Sequence, residues 1–218
     1  PVIAHSHRAE EIRRGLAAGV DGFEHTGLGT APEYPDDVYA GIKARANTLY
    51  WTPTVAPLLL YGYTRDDFPE RIDDPRWQAG LPADIVRDIR QSLAPLDRLA
   101  YFQMVGKRRP TLARKFQQIR DSGAILLIGT DSGVPLTFHS DSTWREIEAW
   151  VRTFGVDPMD AIRAATYWPA VAMKVDKEVG TVVPGKVADV IAVRGDVLRQ
   201  VELLSDVDLV ISRGRRVR

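Results

Sequence analysis

The chain has 218 residues, enough for one sizeable domain and a small appendage, and its 44% apolar and 27% charged residues exclude a disordered chain. Lys and Arg total 29, as do Asp and Glu, so charge gives no reason to expect nucleic acid or an anionic membrane as partner. Cysteine is absent, which excludes disulfides and thiolate metal sites and leaves nitrogen and oxygen as metal donors.

No apolar run reaches the roughly 18 residues of a membrane span, and no signal peptide is visible. The default expectation is a soluble, cytoplasmic protein, with export left open because the natural N-terminus can lie upstream.

In chain order, residues 2–4 are a short apolar run ending at His5. Ala9, Ile12 and Leu16 follow at helix spacing, with Gly19 as the stop. Residues 20–24 read as a second strand ending at His25, and a loop with Gly27, Gly29, Pro32 and Pro35 comes next. Asp36 and Asp37 can cap a helix carrying Val38 and Ile42. Residues 48–55, rich in β-branched and aromatic side chains, predict a third strand.

Residues 57–82 read as irregular, with Tyr61, Tyr63, Phe68 and Trp77 spread through them. So long a connection is either a lid over a site or a surface insertion with its own small cluster. Helices are expected over 83–104 and 107–122. Residues 124–129 are almost wholly apolar, as for a strand covered on both faces, and lead into Asp131. Thr143 and Glu146 have capping-box spacing, and Asp157-Pro158 is another helix start. From about residue 176 the texture turns to short strands, two around the Pro184-Gly185 turn and a last hairpin around Arg213-Gly214, with no helix. The basic tail of Arg213, Arg215, Arg216 and Arg218 reads as a solvated strand.

The alternation implies an α/β fold with a parallel sheet over residues 1–175 and a β appendage over 176–218. His5 in VIAHSHR, His25 in GFEH and Asp131 in LLIGTDSG each end a strand, where a parallel barrel gathers its functional groups. Two imidazoles and a carboxylate suit one divalent cation, zinc being the common choice. Each residue also has a plainer role open to it: a hydrogen-bonded structural histidine, or an aspartate bracing a turn. His7, two residues from His5, is a possible chelator if the strand continues, and otherwise lines the pocket or caps the next helix.

Taken with their surroundings, these motifs resemble the amidohydrolase superfamily, and most closely its imidazolonepropionase-like and Xaa-Pro dipeptidase-like branch. VIAHSHR through AAGVDGFEHTG is similar to strands five and six of that barrel, and LLIGTDSG to strand eight. DPMDAIRAATYWPAVAM with VGTVVPGKVADVIAVRGD resembles the closing helix and β-sandwich return. The resemblance implies the C-terminal half of a TIM-like (β/α)8 barrel, strands 5–8, plus part of a small β-sandwich. It implies His5 and His25 as metal ligands, and Asp131 as a ligand that also moves protons. His139 then lies near substrate. The strand-one His-x-His and the strand-four lysine of such enzymes have no counterpart in this sequence, so an N-terminal half is expected, upstream or on a partner chain.

The expected reaction is hydrolysis of an amide-type C–N bond at one or two divalent ions, most simply zinc. Tyr61, Tyr63 and Arg65, together with His7 and His139, are the candidates for gripping a small-molecule substrate; Arg65 suits a carboxylate, or a plain surface ion pair. A homo-oligomer is expected, with neither nucleic acid nor membrane as partner. The rivals are a deaminase of the same superfamily and a non-catalytic barrel scaffold acting through oligomer contacts.

Overall fold

Among the described residues of the computed structural model (all but 27, 28, 63, 65, 66, 94–97 and 99), four short parallel strands make one sheet. They are β1 (Ile3–His5), β2 (Gly22–Glu24), β3 (Tyr50–Thr52) and β4 (Ile125–Leu126), hydrogen-bonded in the order β1-β2-β3-β4. His5 is level with Glu24, and Glu24 with Thr52, so the C-terminal strand ends share one rim.

Each parallel step needs a crossover, and helices supply it. Helix α1 (Ala9–Ala18) joins β1 to β2, and α2 (Asp36–Lys43) joins β2 to β3. Glu11 in the first turn of α1 accepts the N–H groups of His7 and Arg8, at 2.7 and 2.9 Å. Gly19 ends the helix at φ 74°, donating to Gly15 and Leu16, as its position in the sequence leads one to expect. Pro35 occupies the N-cap of α2, so Asp36 and Asp37 lie in its first turn, where their charge still suits the helix dipole.

The link from β3 to β4 is more helical than its sequence suggests. It holds α3 (Ala56–Gly62), a 3₁₀ turn at Pro69–Asp73, α4 (Pro75–Gln78), α5 (Ala83–Leu93), α6 (Ala100–Gln103), α7 (Val105–Arg108), a 3₁₀ turn at Arg109–Thr111 and α8 (Leu112–Asp121). The irregular reading of 57–82 is therefore corrected. Pro69 and Pro75 sit in the first turn of short helices, where the missing N–H costs nothing. Pro110, in the 3₁₀ turn, likewise divides the expected 107–122 helix.

After β4 come α9 (Ser142–Arg152), α10 (Pro158–Ala165) and α11 (Tyr167–Ala172). Asp157 caps α10, accepting from the N–H groups of Met159 and Asp160. The expected capping box at Thr143 and Glu146 does not form, because Glu146 turns into the core and finds three donors there. A second sheet is antiparallel: β5 (Val190–Ala192), β6 (Leu209–Ser212) and β7 (Arg215–Arg216). Two expectations for this region are corrected. Residues 179–183 turn at Pro184-Gly185 but form no ladder among the described residues, and a 3₁₀ turn occupies Val201–Ser205.

The helices cover one face of the parallel sheet. Phe23 and Trp51, with ring centroids 5.0 Å apart, pack with Ile12, Val38, Ile42 and Ile119, all essentially free of solvent. Tyr50, Thr52 and residues 125–130 are only half-buried, so β4 is not covered on both faces by the described residues. The Trp51 indole Nε1–H donates to the His25 carbonyl at 2.8 Å, which ties the core to the rim. Trp51→Ala is expected to lower unfolding free energy by about 3–5 kcal/mol, read as the shift of the urea midpoint.

Candidate active site

Three imidazoles meet at the rim. The rings of His5, His7 and His25 have centroids 4.3, 4.4 and 4.9 Å apart, and one ring nitrogen from each lies within 4.8 Å of the other two. His25 Nε2 is 2.9 Å from His5 Nδ1, and His25 Nδ1 is 2.6 Å from the Thr54 hydroxyl. Among the described residues, His7 Nδ1 is buried with no hydrogen-bond partner. A buried ring nitrogen in that condition costs free energy unless something binds it.

Three residues that follow strands of this sheet, one directly and two a few positions later, have left-handed backbone. His25 has φ 71°, Thr54 φ 47° and Asp131 φ 51°. Such geometry is uncommon outside glycine, and most costly for a β-branched residue such as Thr54. Hydrogen bonds hold it in place. The His25 N–H donates to the Thr52 carbonyl at 2.7 Å, and the Thr26 hydroxyl to the Pro53 carbonyl at 3.0 Å. The loop after His25 is pinned from α8: Gln118 bonds both backbone groups of Tyr34, and the buried Lys115 donates to the Gly29 carbonyl at 2.9 Å.

Burial favours the neutral form of two of the imidazoles, His7 and His25. Burial lowers the His7 pKa to about 4, helped by its histidine neighbours. Burial also lowers His25, with His5 adding to the effect and the Asp131 charge opposing it. Asp131 thus lies near enough for its field to reach His25, although its carboxylate is exposed and outside the set of three ring nitrogens. Burial and the Asp131 charge raise Glu24, a half-buried carboxyl at the same rim. Neutral imidazole is the form that binds a metal ion.

The remaining predicted residues are dispersed. His139 is exposed beside the Asp131 loop, its Cε1 3.7 Å from where a Cβ on Gly133 would stand. Tyr61 is fully buried, its ring edge-on to Phe102 at 4.9 Å, which is a core position. Tyr63 and Arg65 lie outside the described residues. Sequence reading missed Thr54, Glu24 and Glu146. Thr54 stood inside an expected strand, though Pro53 before it was a signal that the strand ends early. The Asp131 loop is braced by hydroxyls: Thr130 Oγ1 is 2.6 Å from Ser132 Oγ, which also reaches Ser142 at the start of α9.

A parallel sheet with helical crossovers and a histidine cluster at its C-terminal rim defines an α/β protein with polar groups gathered where parallel sheets place their sites. Residues 2–217 match the Amidohydrolase family, and the chain belongs to it. Among solved structures, the chain is similar to a Xaa-Pro dipeptidase with methionine bound in its active site, at 26% identity and a TM-score of 0.67. That likeness covers 100% of this chain and 44% of the other. A candidate prolidase from Bifidobacterium longum is 28% identical, with a TM-score of 0.64 over 99% of this chain and 46% of that one. Phenylurea hydrolase B, at 21% identity and a TM-score of 0.65, shares the fold over 100% of this chain and 43% of its own. The chain therefore spans less than half the length of these proteins. No curated protein matches it.

Proposed function

We propose that this chain supplies strands five to eight of a (β/α)8 barrel and part of a β-sandwich, and that with the other half it forms a hydrolase of amide-type C–N bonds. Its site takes a divalent cation, zinc by the chemistry of the donors. The observation that carries this reading is the convergence of His5, His7 and His25, with an Nδ1 of His7 that has no partner among the described residues. Family membership and the Xaa-Pro dipeptidase likeness support it.

The residues present fit a cation. His25 offers Nε2 while Thr54 fixes its Nδ1, the usual outer partner that orients a ligating imidazole. His5 offers Nδ1 alongside, and His7 is a third donor if the second half does not supply it. When bound, the ion acidifies water and polarises the substrate carbonyl. Asp131 takes a proton from the attacking water as the new C–O bond forms, then gives it to the nitrogen as the C–N bond breaks. His139, beside that loop, contacts the substrate. Acyl-proline dipeptides and other N-acylated amino acids are the substrates to try first, following the dipeptidase relative. The assembled protein is proposed to be a homo-oligomer.

The test is metal analysis and hydrolysis by the chain assembled with its N-terminal half. Removing the metal with a chelator is expected to lower turnover of the accepted amide at least about 100-fold, and added Zn²⁺ to restore it. Ammonia release from aminated heterocycles without amide cleavage selects a deaminase instead. A preparation that binds no divalent ion selects the scaffold.

A further inference from the structure

The side chain of Glu146, on α9, is fully buried and spends itself entirely on donors. Its Oε1 accepts the Val55 N–H and the Trp150 indole N–H, both at 2.9 Å, and its Oε2 accepts the Ala56 N–H at 2.6 Å. Val55 and Ala56 directly follow Thr54, the β-branched residue held at φ 47°. Thr54 in turn bonds the ring of His25. A β-branched residue keeps so unfavourable a backbone only where its surroundings over-determine it. Two successive N–H groups caught by one buried carboxylate do that, from about 90 positions away in sequence.

We infer that Glu146 is a positioning residue for the site: by fixing the backbone after Thr54, it sets the Thr54 hydroxyl against His25 Nδ1 and so aims His25 Nε2 at the rim. The meaning of that aim rests on the metal-site reading of His25. The geometric claim stands apart from it, which lets the two fail separately.

The experiment compares Glu146→Gln, Thr54→Val and the double variant in the chain assembled with its N-terminal half. The ring-nitrogen resonances of ¹⁵N-labelled His25 and the affinity for Co²⁺, followed by visible absorption, are the readouts. Gln keeps the shape but sets an amide N–H₂ against a backbone N–H. Either single change should move the His25 nitrogen resonances and weaken Co²⁺ binding about tenfold, as loss of an outer partner does. The double variant should lose no more than the worse single, because both act along one path. Val156→Ala, a buried truncation elsewhere, should leave those resonances in place. Unmoved resonances in Glu146→Gln, fully additive losses, or an equal shift in Val156→Ala would overturn the assignment. If Glu146→Gln does not fold, Glu146→Asp draws the carboxylate back by one methylene and must move His25 in the same way. A wild-type assembly of the chain with its N-terminal half that binds no Co²⁺ overturns the metal reading alone, since the resonances still decide the role of Glu146.

Discussion

Asp131→Asn is expected to lower kcat for the accepted amide by about 10³-fold while leaving the urea midpoint unchanged. The size follows from losing a positioned general base and acid, a contribution of roughly 10²–10⁴. Asparagine is the informative replacement because Asp131 sits at φ 51°, a region that asparagine also tolerates. The backbone turn should survive, along with the hydroxyl brace from Thr130 through Ser132 to Ser142. Alanine would mix loss of the carboxylate with strain in that turn. Single-turnover rates with metal content measured on the same samples make the comparison. Turnover within about tenfold of the wild type would mean that another group handles the proton, and Glu24 at the same rim would be the first to test.

His25→Asn should have the larger effect on the metal. The ring of His25 is hydrogen-bonded to His5 on one side and Thr54 on the other. Asparagine tolerates the φ of 71° that alanine would not, so the rim keeps its path. What disappears is a first donor to the cation. The loss of affinity should therefore exceed the roughly 10–100-fold that losing an outer partner costs. Metal per chain after gel filtration should fall close to zero, and with it hydrolysis. His139→Ala is the contrasting change: it stands exposed beside the Asp131 loop, so metal content should hold while KM rises. Full metal occupancy in His25→Asn would remove the three-imidazole site from consideration.

The two expectations differ in what they ask of the fold. His5 and His25 are brought together by the register of adjacent strands, in which His5 stands level with Glu24. Asp131 arrives by a longer path, through a strand that pairs only over Ile125–Leu126 before the chain turns. Its position depends on loop bracing more than on the ladder. Variants in that brace should accordingly affect rate before they affect metal content.

Much of this arrangement could be read from the chain itself. Alternating strand and helix patterns, Gly19 as a stop and Asp157-Pro158 as a start depend on interactions within about four residues, and local chemistry decides them. The placement of His5, His25 and Asp131 near strand ends is local in the same sense, because each lies within three residues of an apolar run. Other features needed the folded molecule. Proline at 69 and 75 breaks a long helix but begins a short one, and only packing of the short helices chooses between those outcomes. The spacing of Thr143 and Glu146 favours a cap, yet three buried donors outweigh one exposed N–H at a helix end. His7 joins His5 and His25 because its backbone is held by Glu11 while its ring stacks on a residue from the next strand. The left-handed turn at Thr54 is unfavourable by its own sequence and exists through contacts some 90 residues distant. Local free energies set the elements and their order; long-range hydrogen bonds and burial, absent from any short window of sequence, set where the side chains aim.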